Sequence, residues 1–299
     1  MNPALKKLGF DKHDRVVIIH SDDLGMCHAA LPAHAELLEF GIVSSAAVMV
    51  PCPWFQQVVA FCKEHPEVDI GVHLTLNSEW EGYRWGPIST RDPASGMIDG
   101  QGYFHPRTAI TEGQADLQAV AIELRAQVAR AIEAGIDVTH VDSHMGALAS
   151  TRFVELYVEV ALENRVALPF IQSSEPGFEI TGALHSIAAY DATLVPELEE
   201  RGIPMIDALI GLPLGDPPDH VAVAKQMIDE LQPGLTVMLL HPALDTPELR
   251  AMAPDWRSRV ANYEACKSRE LRDHIRQSGV QIIGYRPLRD LMRATNSRF

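Results

Sequence analysis

The chain is short of positive charge, nearly without cysteine, and has no long apolar run. Its 25 lysines and arginines stand against 40 aspartates and glutamates, a net charge of −15 over 299 residues. Attachment to nucleic acid or to an anionic lipid surface needs a basic footprint, and none is visible. A neutral or cationic small substrate suits the balance better. The four cysteines, Cys27, Cys52, Cys62 and Cys266, show no C-x-x-C spacing. That excludes a zinc knuckle and a disulfide framework and points to a reducing compartment. No apolar stretch approaches the roughly 20 residues that cross a bilayer. The first residues, Met1 to Lys7, run into charged Asp11-Lys12-His13-Asp14-Arg15 with no apolar h-region, so export on an N-terminal signal is not expected. The expectation is a soluble, cytoplasmic protein that contacts no membrane and no nucleic acid. Self-association into a homodimer is compatible with the chain and unspecified by it.

What is present is a composition ordinary for a globular domain, 46% hydrophobic and 22% charged, with short β-branched runs alternating with helical patterns. Strands are expected at Val16 to Ile19, Ser45 to Val50, Ile70 to Leu76, the approach to His140, Ala167 to Ile171, Pro204 to Ala208, Leu235 to Leu240 and Val280 to Ile283. Helices are expected near Ala29 to Phe40, Trp54 to Lys63, Phe153 to Asn164, Val221 to Leu231 and Arg257 to Ser278. A capping box at Thr111-Glu112-Gly113-Gln114 is read as the start of another that runs to Glu133. Asn77 to Glu112 is a long unpatterned segment of the kind that is usually functional, and Ser173 to Ala189 is weakly patterned. Alternating β and α units predict a mostly parallel sheet. The G-x-G-x-x-G turn of an open dinucleotide fold is missing after the first strand. An irregular (β/α) barrel is therefore favoured, as one domain over residues 1–299 with a core from about 15 to 285.

Four of the apolar runs deliver histidine or aspartate at their carboxyl ends, where barrels carry their chemistry. They end in His20-Ser21-Asp22-Asp23-Leu24-Gly25, in Gly71-Val72-His73-Leu74, in His140-Val141-Asp142-Ser143-His144 and in His241-Pro242. Side chains alternate along an extended chain, so His140, Asp142 and His144 are expected on one face, and His73 with Gly71 and Thr75 on another. Two histidines and a carboxylate with open positions make a common hydrolytic metal site, and this N/O set suits zinc or another first-row ion better than calcium. The candidates are Asp23, His73 and His144. In the Asp22-Asp23 pair one carboxylate can bind metal while the other, on a different bearing, takes a proton. A turn capping the helix near Cys27 is the other use of that pair, and both can hold together.

In order and approximate spacing these four motifs resemble those of the YdjC-like carbohydrate deacetylases, a group that includes chitooligosaccharide and hopanoid-associated deacetylases. The resemblance runs from about Val16 to Tyr285. It implies an irregular (β/α) barrel of the polysaccharide-deacetylase kind and metal-dependent removal of acetyl groups from N-acetylated sugars or oligosaccharides. It also implies one divalent ion, magnesium or zinc, on Asp23, His73 and His144, with Asp22 as base. The chain departs from the pattern at Ser21 and Leu24, where the family usually has Ala and Phe. It departs again at Gly146, where members often carry a further histidine. His241 is the first candidate for the acid that protonates the leaving amine, with a turn-stabilising role as its alternative. His140 and Asp142 are expected to orient the ligands rather than to ligate. Trp80, Arg84 and Trp85 are expected against the substrate, although Trp80 and Trp85 can equally pack beneath the long loop. Two rival readings stand beside this one. A sugar-binding protein without turnover is the first. A non-haem iron oxygenase using His140-Val141-Asp142 and His241 is the second, and it requires an all-β double sheet.

Overall fold

Every position of Val16-Val17-Ile18-Ile19 is apolar because both sides of this strand are covered, and all four are at most 2% exposed. Val17 and Ile19 pack outward with Leu37, Ile228, Leu271 and Ile275 of the surrounding helices. Val16 and Ile18 pack inward with Leu235, Val237, Leu209 and Tyr285. A parallel strand covered on both faces reads in this continuous way.

The computed structural model describes residues 1–171, 194–201, 203–215 and 219–294. Its strands are β1 (Arg15–Leu24), β2 (Ser45–Val48), β3 (Ile70–Leu74), β4 (Val141–Ser143), β5 (Ala208–Gly211), β6 (Gly234–Leu240) and β7 (Gln281–Ile282). The helices, in chain order, are α1 (Pro3–Lys7), α2 (Ala30–Phe40), α3 (Phe55–Glu64), α4 (Thr108–Gln114), α5 (Leu117–Glu133), α6 (Val154–Asn164), α7 (Leu194–Glu200), α8 (His220–Glu230), α9 (Pro247–Met252), α10 (Trp256–Cys266), α11 (Arg269–Ser278) and α12 (Arg286–Ala294).

The sheet runs β4-β3-β2-β1-β6-β5, and all its pairings are parallel. β7 pairs with the start of β1, at Val16 and Val17, below the point where β2 joins at His20. Strand follows strand in one direction around β1, which is the progression of a barrel and not of a doubly wound sheet. The two ends, β4 and β5, approach each other through single parallel bridges, His140 to Ala167 and Ile171 to Ile206. The result is a curled parallel sheet wrapped in helices, an irregular barrel. It overturns the all-β scaffold that the oxygenase reading requires.

Several element boundaries depart from the sequence expectations. Ala167 to Ile171 appears only as bridges, because Pro169 has no N–H to give a ladder. The strand expected at Pro204 to Ala208 begins only at Ala208. The expected helix from Arg257 to Ser278 is two, because the Ser268 hydroxyl caps a new start by accepting from Glu270 N at 3.1 Å. Thr111 does not open α5. It lies inside α4, buried, with its hydroxyl on Leu76 O, and the cap of α5 is Asp116, which accepts from Ala119 N at 2.9 Å. The segment Ser173 to Ala189 lies outside the described residues.

Candidate metal centre

Inward phase carries the chemistry to one place. On β1 the inward series Val16, Ile18 continues to His20 and Asp22. On β6 the series Leu235, Val237, Leu239 continues to His241. On β3, Ile70, Val72 and Leu74 pack outward, which leaves Gly71 and His73 inside. Asp23 follows Asp22 directly and should point away from it. A bulge between Ser21 and Leu24 and a left-handed φ of 65° at Asp23 turn it back, so that both carboxylates border one cavity. Bulges re-aim side chains in this way, and a non-glycine residue at positive φ is held there only when its surroundings demand it. His144 is not in the extended chain. It opens a tight turn, His144–Ala149, whose Met145 and Gly146 both have positive φ.

Asp23 Oδ1 lies 3.4 Å from His73 Nε2 and 3.2 Å from His144 Nδ1. All three residues are buried, and Asp23 Oδ1 has no hydrogen-bond partner. The nitrogens converge on the same space as the oxygen without bonding to it. Each of the three side chains is anchored through its other polar atom. His73 Nδ1 meets Asp142 Oδ1 at 2.6 Å, His144 Nε2 meets Glu79 Oε2 at 3.0 Å, and Asp23 Oδ2 accepts from Arg259 Nη1 at 2.7 Å. Carboxylate partners on the far nitrogens of ligating histidines are the usual supports of a metal site. The donor set and its buried, orphaned oxygen fit a divalent ion.

The electrostatics agree. Burial alone would lower His144, but Glu79 and Asp23 outweigh it and push it up to about 9. Burial works against the charge of His73 too, yet Asp142 and Asp22 lift it well above the usual imidazole range. The negative potential that draws protons here would equally draw a cation. Asp23 is buried, which favours its neutral form, but Arg259 and His144 hold it well below the usual carboxylate range.

Beside this triad, Asp22 Oδ1 is 3.1 Å from His20 Nε2 and Asp22 Oδ2 is 3.5 Å from His241 Nε2. Burial, more than any charge nearby, lowers His241. Asp142 bridges His73 and His20, the latter at 2.9 Å. His140 is placed apart from the three candidate ligands. Its Nδ1 meets Thr139 Oγ1, its ring stacks on Tyr285 at 3.9 Å, and a Cβ on Gly71 would fall 2.5 Å from its Nε2.

The cavity over these groups holds about 650 Å³, lined by Asp22, Asp23, His73, His144, His241, Trp80 and Arg259 together with apolar Leu209, Leu212 and Leu239. Of the three residues expected against substrate, only Trp80 lines it. Arg84 binds Asp99 and Phe104 O, and Trp85 is buried with its Nε1 donating to Asn77 O. Three contributors went unread in the sequence. Glu79 lies inside the long loop, His20 stands at a strand end with nothing in the sequence to give it a role, and Arg259 sits on α10 with no local motif. His20 has a signal, its place at the end of the first apolar run, whereas the contacts that define Glu79 and Arg259 span 65 and 236 residues.

Fold and site together define an α/β barrel-like protein with a two-histidine, one-carboxylate cluster at the carboxyl ends of its strands. The chain belongs to the YdjC-like protein family, whose profile matches residues 16–277. It is similar to a carbohydrate deacetylase of Thermus thermophilus, 33% identical over 90% of this chain and 92% of the relative. A carbohydrate deacetylase of Thermoanaerobacter pseudethanolicus is 21% identical over 91% and 98%. Among solved structures, an Enterococcus faecalis V583 protein named for cellobiose-phosphate cleavage superposes with a TM-score of 0.77 at 22% identity, covering 92% of this chain and 99% of that one.

Proposed function

We propose that the chain is a metal-dependent hydrolase that removes the acetyl group from an N-acetylated sugar or short oligosaccharide. The observation that carries this reading is the convergence of Asp23 Oδ1, His73 Nε2 and His144 Nδ1, each anchored from behind, beside a second carboxylate on the same cavity. The acetyl group and the sugar are supported by the activity for which the relatives are named. A divalent ion on those three residues, zinc or magnesium, would polarise the acetyl carbonyl and acidify the attacking water.

In this reading Asp22, which borders the cavity beside the three proposed ligands, accepts the water's proton. Its Oδ2 faces His241 at 3.5 Å, so the proton passes to His241 and from there to the departing amine. His241, kept neutral by burial, takes a proton before it gives one. Asp142 holds His73, and Trp80 lines the cavity with the Arg259 guanidinium over its ring at 5.3 Å. The four cysteines are free and buried, which supports a reducing, cytoplasmic setting. No helix among the described residues is long and apolar enough to cross a membrane.

The test is metal content by mass spectrometry combined with acetate release from N-acetylglucosamine and its short oligomers. Acetate release should vanish on chelation and return with zinc or magnesium. Asp22→Asn should keep the metal and lower kcat by roughly 10²- to 10⁴-fold, the range of a lost general base. Turnover indifferent to both treatments would sink the reading. Sugar binding without acetate release under any metal would instead favour a binding protein.

A further inference from the structure

We propose that His20 is a positioning residue for this reaction: its Nε2–H, set between Asp142 and Asp22, fixes the bearing of the proposed base and couples it to the ligand His73. The inference rests on the reading of Asp22 as base and His73 as ligand. His20 is fully buried on the inner face of β1, two residues before Asp22. Its Nδ1 meets Ser45 Oγ at 2.7 Å. Its Nε2 faces two carboxylates, Asp142 Oδ2 at 2.9 Å and Asp22 Oδ1 at 3.1 Å. With the ring neutral or charged, two carboxylates in front of that nitrogen keep a proton on it.

Asp142 and Asp22 are both nearly buried, at 5% and 6% exposure, and like charges so close repel unless a donor stands between them. His20 stands there, donating to Asp142 Oδ2 and facing Asp22 Oδ1 as an ion-pair partner. The other oxygen of Asp142 holds His73 Nδ1 at 2.6 Å, so one imidazole stands against the proposed base and, through its hydrogen bond to Asp142, supports a proposed ligand. His140 and Tyr285 stand edge-on against the His20 ring at 4.9 and 5.6 Å and block its rotation. Asp22 Oδ1 itself has no aligned hydrogen bond. The contact therefore steers the carboxylate through Oδ1 and leaves Oδ2, the oxygen facing His241, for the proton.

Two measurements test this. In the full chain labelled with ¹⁵N-histidine, the His20 Nε2–H resonance, assigned by its loss in His20→Gln, should shift in both Asp22→Asn and Asp142→Asn. A resonance that answers to one carboxylate only, or to neither, overturns the proposal. In the metal-loaded enzyme, His20→Phe should lower kcat roughly 100-fold with KM within about threefold and metal content unchanged, the scale of a misaimed base. His20→Gln, which restores a donor, should recover about tenfold of that loss. An unchanged kcat, or a loss that only follows lost metal, overturns it. A parent enzyme that releases no acetate defeats the deacetylase reading, while the resonance still decides the placement of His20.

Discussion

At the scale of single residues, the proposed site depends on what stands behind each proposed ligand. His144 reaches its position from a turn with left-handed backbone and not from a strand, so its aim depends on Glu79 more than His73 depends on β3. Glu79→Gln keeps the shape but loses the charge that supports the imidazole. The expected outcome is metal affinity weaker by roughly 10- to 100-fold, as for other second-sphere carboxylates, with the fold unchanged. Calorimetric titration of the apo protein with zinc, compared with parent, checks it, and equal affinities would remove Glu79 from the site. Much of this centre was legible beforehand. Asp22, Asp23, His73 and His241 sit at the ends of strongly apolar runs, where spacing alone marks them. Arg259 and Glu79 were not legible, because the contacts that define them span 236 and 65 residues of sequence, and no local pattern records such pairings.

At the scale of elements, the long loop after β3 is held by α5. Glu123 is fully buried, and its two oxygens accept from Ile88 N at 3.1 Å and Ser89 N at 2.8 Å. Gln127, one turn on, donates to both Glu123 and Thr75 O and accepts from Thr75 N, just beyond His73. One helix face thus pins both ends of the segment that carries Glu79 and Trp80. Glu123→Ala strands two half-buried backbone donors, each costing about 1–2 kcal/mol, the lower part of the range for a buried unpaired group. The expected outcome is a stability loss of roughly 2–4 kcal/mol in urea titration, together with a raised KM from the loosened loop. A destabilised variant with parental KM would separate the loop from substrate binding. The sequence showed α5 and its end near Glu133 but not its start, because Thr111-Glu112-Gly113-Gln114 imitates a cap while Asp116 supplies the real one. The break between α10 and α11 was missed because Ser268 caps a helix without any glycine or proline to announce it. The barrel's weak seam was missed for a different reason: Pro169 sits in a run whose composition otherwise reads as strand.

At the scale of the whole molecule, the acidic balance and buried histidines give stability a pH dependence that one residue can isolate. His34 lies on α2 with 1% of its surface exposed, edge-on to Phe61, and its Nδ1 has no hydrogen-bond partner. Burial, assisted by the charge of His20, pushes it down to about 3. Unlike His20 and His144, whose carboxylate neighbours raise them, His34 has no compensating anion among the described residues. Between pH 6.5 and 3 the unfolded chain therefore binds a proton at this position that the folded chain refuses, so stability falls as pH falls through that window. By pH 5 the difference amounts to about 2 kcal/mol, from roughly 1.5 units at 1.36 kcal/mol each. His34→Leu removes the proton acceptor while keeping an apolar side chain among its neighbours. Urea unfolding of parent and variant at pH 7.5 and pH 5 should show the parent losing about 2 kcal/mol more than the variant on acidification. Parallel losses in the two proteins would mean that His34 takes up its proton in the folded state, and that the packing of α2 against α3 opens to admit it.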